Sequence, residues 1–160
     1  MITKDQIQVA SMGLGSLSSQ VGWLDIRVDR ATPLGNPFEI PKNCPPEQLE
    51  KFRVSVILAF RRWLWNNLKL AQNHPDKRVA LDEFEKAGYI IGKKFKNPTS
   101  GQVVGKLREL GGILLSGQKI RLLCWCAPLA CHAEVIRNCL VKIENNPELR
   151  KLLIGYSAKN

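Results

Sequence analysis

No run of apolar residues in this chain approaches the roughly 20 needed to cross a bilayer, so a membrane-spanning helix is excluded. The opening, Met1-Ile2-Thr3-Lys4-Asp5-Gln6, lacks the basic-then-apolar order of a secretory leader. The expectation is a cytoplasmic protein with no membrane partner. Internal repeats and low-complexity tracts are absent as well. With 160 residues, 44% of them apolar, the chain has surface for one ordinary core and too little length for two. Its five cysteines, Cys44, Cys124, Cys126, Cys131 and Cys139, are an odd number without an export signal, which argues against a disulfide framework and for free thiols or metal ligation.

Basic residues are plentiful. The net charge is +10, and it is uneven: residues 1–50 contribute −2, residues 51–100 contribute +7 and residues 101–160 contribute +5. Such an excess favours polyanionic partners, a nucleic acid or a phosphorylated small molecule, because each neutralised phosphate releases condensed counterions. A solvated basic surface is the alternative reading of the same residues.

Residues 1–22 are weakly apolar and rich in Ser and Gly, which predicts an irregular or loosely docked arm, followed by a single α/β domain over 23–160. Trp23 to Val28 alternates apolar and polar residues and reads as a strand. Pro45 and Pro46 open a long helix ending near Asn73, with Leu49, Phe52, Val56, Phe60 and Trp63 on one face and Arg53, Arg61 and Arg62 away from its centre. A basic insertion follows over about 74–98, with a short helix in 79–89 and loop over 91–98. Thr99 or Ser100 caps the next helix. Lys119 to Cys126 reads as a buried strand, and a helix starting near Pro128 buries Ile136, Cys139, Leu140 and Ile143 before Asn146-Pro147 breaks it. This order predicts a small Rossmann-like three-layer α/β domain with a mostly parallel sheet, whose remaining strands lie in the first 20 residues or between Val79 and Lys96.

The densest chemistry lies in Cys124-Trp-Cys-Ala-Pro-Leu-Ala-Cys131-His132. Period-2 geometry on a strand end turns Cys124 and Cys126 to one face, while Cys131 and His132 fall at a helix start, where the dipole favours thiolate. Three readings compete. A metal site, zinc or an iron–sulfur centre, would use Cys124, Cys126 and Cys131, with His132 as a candidate fourth ligand. A reactive thiol would use Cys131 with His132 as its base. The third makes the thiols small buried hydrophobes and the imidazole a hydrogen-bonded helix residue.

The other segment is Asp29-Arg-Ala-Thr-Pro-Leu-Gly-Asn-Pro-Phe38. Its prolines fix a shaped loop at the end of a strand, where open α/β sheets place ligands. Asp29 is a candidate acid or base there, and Arg30, Thr32, Gly35 and Asn36 are candidate ligand-binding residues, Arg30 as a bidentate clamp and Gly35 as a point of close backbone approach. Asp29 and Arg30 pairing with each other is the plainer alternative.

Taken together, Asp29-Arg-x-Thr-Pro-Leu-Gly-Asn-Pro-Phe38, Arg62-Trp63-Leu64 and Cys124-Trp-Cys-Ala-Pro-x-x-Cys131-His132 resemble the family known as the domain of unknown function 4326, from about Ile26 to Leu140. The resemblance implies a small α/β domain of bacteria and their phages defined by these two segments. It brings no reaction. From the residues, the expected site is one pocket for a phosphorylated or nucleotide-like ligand; the competing reading is a non-enzymatic nucleic-acid-binding accessory protein with a structural metal.

Overall fold

A computed structural model describes residues 1–12, 21–125 and 131–154 of the chain. Strand β5 (Lys119–Cys124) is the axis of the fold. Its apolar run puts Ile120, Leu122 and Cys124 fully out of solvent, and it lies between β1 (Ile7–Ser11) and β2 (Trp23–Arg27) in the order β1-β5-β2. Both pairings are parallel, Ile7 opposite Ile120 and Leu24 opposite Ile120, so the two strand ends that carry the motif segments emerge on the same edge.

Asp25 lies directly opposite Arg121. The guanidinium holds the carboxylate with two bonds, Nε to Oδ1 at 2.7 Å and Nη2 to Oδ2 at 2.8 Å, and this pairing keeps Asp25's pKa below the usual carboxylate range. A charged pair at one register position penalises any slip of β2 against β5.

The N-terminal residues depart from the expected loose arm. Ile2 and Ile7 are buried, a 3₁₀ turn spans Lys4–Gln6, and β1 is an edge strand of the sheet. Ile7 and Val9 are too short an apolar pattern to reveal this; their partner is more than a hundred residues away.

Pro46–Gln48 forms a 3₁₀ turn that leads into α1 (Leu49–Ala71), whose Phe60, Trp63, Leu64 and Leu68 are buried. The segment after it is less of a solvated insertion than its charge suggests. Besides α2 (Asp82–Lys86), it contains β4 (Ile90–Ile91), which pairs antiparallel with β3 (Phe38–Glu39) at the end of the first motif loop. Phe38 stacks on Phe84 at 4.8 Å and on Tyr89 at 5.5 Å, so apolar residues between the lysines tie this segment to the core.

Thr99 caps α3 (Ser100–Leu115) through a capping box: Gln102 N–H donates to Thr99 Oγ1, and Gln102 Oε1 accepts from Thr99 N–H. Helix α4 runs from His132 to Glu144, and α5 (Pro147–Ile154) follows it. The expected α4 start near Pro128 is therefore too early: Cys131 is the capping residue, extended at φ −139, and its Sγ accepts from Ala133 N–H at 3.4 Å. Pro128 and Cys126 lie outside the described residues. Helix α1 packs on α3 and α4, α3 packs on β5, and α4 packs on β1 and β5, which closes the core around the central strand.

Candidate functional site

Val28 N–H donates to Leu123 C=O at 3.0 Å, which extends the β2–β5 pairing one residue beyond β2. From there the chain turns into the loop 29–38, and nearly every polar group of that loop has a structural use. Asp29 C=O accepts from both Thr32 N–H and Thr32 Oγ1, each at 2.9 Å. Arg30 Nε donates to Asn36 C=O at 2.8 Å and Arg30 Nη2 to Phe38 C=O at 2.8 Å. Asn36 Oδ1 accepts from Phe38 N–H at 3.0 Å. Arg30 thus clamps its own loop, although it was expected to clamp a ligand.

Gly35 has a different purpose from the expected one as well. A Cβ placed there would lie 2.4 Å from Arg30 Cα and 2.6 Å from Asp29 C=O oxygen. Glycine is required because the loop folds back on its own backbone, and this self-contact leaves no room for a side chain.

Asp29 is the exception within the loop. Its residue is 9% exposed, Arg27 Nη2 holds Oδ2 at 2.5 Å, and among the described residues Oδ1 is buried with no hydrogen-bond partner. An orphaned carboxylate oxygen costs folding free energy unless something else meets it.

Across from this loop stand Cys131 and His132. A carbonyl can only accept, so the 2.6 Å contact between His132 Nε2 and Val28 O places the proton on Nε2 and leaves Nδ1 as an acceptor. Cys131 Sγ is 3.5 Å from that Nδ1. Burial holds the His132 pKa below the usual imidazole range, opposed only in part by the bond to Val28, and the ring packs edge-on against Phe60 at 5.0 Å. With both nitrogens engaged, His132 has no lone pair for a metal unless one contact breaks. Cys124 faces the core, and among the described residues no three His, Cys, Asp or Glu side chains gather in a metal-binding group. Cys139, deeper in α4, is desolvated and its thiol is pushed up to about 12.

The two segments share one cavity of about 500 Å³. Asp29, Arg30 and Asn36 line it from the loop, Trp125, Cys131 and His132 from the other side, and Phe38, Ile40, Val56 and Ile57 supply its apolar wall. Thr32 and Gly35 are outside the lining. Arg53, expected away from the centre of the apolar face of α1, is a lining residue that the sequence did not single out for the site. Its side chain is only 15% exposed and meets Glu50 at 3.3 Å. The signal was available: Arg53, Val56, Ile57 and Phe60 follow each other at helical spacing.

The family model described as a domain of unknown function (DUF4326) covers residues 17–142, which include both motif segments. No curated protein matches the chain, and no solved structure does.

Proposed function

The chain belongs to the DUF4326 family, and from that premise we propose that the cavity between its two defining segments binds a nucleotide-like or otherwise phosphorylated ligand. The observation that carries this reading is the buried, partnerless Oδ1 of Asp29 in the wall of a cavity that also contains Arg53, Asn36 and an apolar side. A hydroxyl or amino group of the ligand would satisfy the carboxylate. Arg53, whose fork is only singly engaged by Glu50, would take the phosphate, and the apolar wall with Trp125 would take a flat ring. Asn36 has its Nδ2 left over as a donor once Oδ1 has capped Phe38.

In this reading Cys131 and His132 are the candidate reactive pair, with the thiol at the start of α4 and Nδ1 placed to receive its proton. The Rossmann-like three-layer description of the fold belongs with the same proposal, since it puts the ligand outside the carboxyl ends of adjacent parallel strands.

Thermal unfolding against a panel of mononucleotides and sugar phosphates tests the reading. At least one compound is expected to raise the midpoint, with the rise abolished in Asp29→Asn and Arg53→Ala while both variants stay folded. A flat response across the panel, or an undiminished rise in both variants, would overturn it.

A further inference from the structure

At the far end of α1 lies a second, open cleft of about 450 Å³. Its polar lining is Asn66, Lys69, Asn73, His74 and Arg78, with no carboxylate among them. The α1 carbonyls at this end are occupied, Lys69 O by Gln72 N–H and Leu70 O by Asn73 and His74 N–H. The helix dipole's partial negative charge, roughly half a unit, is smaller than the two cations of Lys69 and Arg78.

A lysine run joins this cleft to the first cavity. Gly92 N–H donates to Pro37 C=O at 2.9 Å, and a Cβ at Gly92 would meet Glu39 Oε1 at 2.9 Å and Arg30 Nε at 3.2 Å, so the run begins at the wall of the first cavity. Phe95 then packs edge-on against Trp63 at 6.0 Å, midway along α1. At the other end Asn97 C=O accepts from Arg78 Nε at 2.8 Å. Between these anchors Lys93, Lys94 and Lys96 are exposed, and among the described residues none of them, nor Lys69, Lys77 or Arg78, is in an ion pair. Of the acids nearby, Glu39 at the start of the run faces Arg30 at 3.8 Å, and Asp82, Glu83 and Glu85 are on α2, where Glu83 faces Arg62 at 3.7 Å. Asp76 is outside the cleft lining.

We propose that the Lys93–Lys96 run and the Lys69/Arg78 cleft hold the sugar-phosphate backbone of a single-stranded nucleic acid, one nucleotide of which reaches the first cavity. The last clause rests on the ligand reading of that cavity. The run itself turns, Phe95 N–H donating to Gly92 C=O at 3.0 Å, so its lysines and the cleft cations form several separate positive sites, matched by a few linked phosphates. An array of cations outside any ion pair, ending at an aromatic-edged pocket, suits a strand with unstacked bases, and Trp125, 64% exposed at the cavity's rim, offers a stacking face. A duplex would have to surrender a base before any could enter.

The test is binding of a fluorescent single strand of about twelve nucleotides, measured against salt, beside mononucleotide-induced thermal stabilisation. Wild type should bind the strand with an affinity that falls with salt by a slope near −0.7 for each neutralised phosphate. Reversing Lys69, Lys93, Lys94 and Lys96 to Glu should weaken binding at least tenfold and flatten the slope, whereas the same reversal at Lys4, Lys51, Lys119 and Lys142 should cost much less. Equal losses in the two sets, or no strand binding at low salt, overturns the track while a surviving mononucleotide response keeps the pocket. Strand binding that depends on the track without any mononucleotide response upholds the track and removes the pocket's ligand.

Discussion

The two motif segments face one cavity but are built on opposite plans. The loop 29–38 is closed on itself: Thr32, Arg30 and Asn36 bond its own backbone, and Gly35 touches it. The segment ending at Cys131-His132 is held from outside, by Val28 just beyond β2 and Phe60 of α1. Residues of one motif can therefore be structural nearly throughout, with Asp29 Oδ1 its one buried side-chain atom lacking a partner among the described residues, while the other motif owes its geometry to the rest of the protein.

Gly35→Ala should do the most to break this contrast. Its methyl group would overlap backbone, and the cost is expected at about 3 kcal/mol or more in urea unfolding. A loss below 1 kcal/mol would mean that the loop has another way to close. His132→Ala follows, at about 2 kcal/mol or more, because Val28 C=O loses its buried donor. The same residue leaves a pH signature. Its folded pKa is depressed, so below about pH 6.5 the unfolded chain takes up a proton that folded His132 refuses, and wild-type stability should fall from pH 7 to pH 5 by at most about 1.4 kcal/mol per unit. Chemical denaturation across that range should give a flatter line for His132→Ala. Asp25 acts in a separate window, contributing stability above the ordinary carboxylate pKa that is lost only as pH falls toward its lowered value.

Arg30→Ala should cost about 2 kcal/mol through the two carbonyls it leaves, Asn36 and Phe38, and should loosen the loop without touching α4. Hydrogen exchange at Phe38, slowed in wild type and fast in the variant, would sharpen the comparison. The smallest stability effect belongs to Asp29→Asn, below about 1 kcal/mol, since its partner Arg27 is more than half exposed. A large loss there would make Asp29 one more structural member of its loop.

Much of this was legible in the sequence. The strands at Trp23 and Lys119, their parallel pairing, the Thr99 cap and the convergence of the two motif segments all follow from local pattern. What stayed hidden depends on distant partners. Further strands were expected in the first 20 residues or between Val79 and Lys96, and β1 and β4 lie there, but their positions were not legible: β1 offers little apolar pattern until Ile120 stands beside it, and β3 and β4 are two residues each, too short for any period. The use that their own loop makes of Arg30 and Gly35 stayed hidden because side-chain chemistry alone does not say whether a donor faces a ligand or its own backbone.

The strand order has a consequence for how the chain comes into being. β1 and β2 flank β5 without touching each other, so neither has a strand to pair with in the parallel sheet until residues 119–124 leave the ribosome. Some three quarters of the chain, including α1 and α3, must wait as a helical assembly with unpaired edges. Pairings this distant close slowly, and a chain arrested after α3 would expose the apolar face that β5 was to cover.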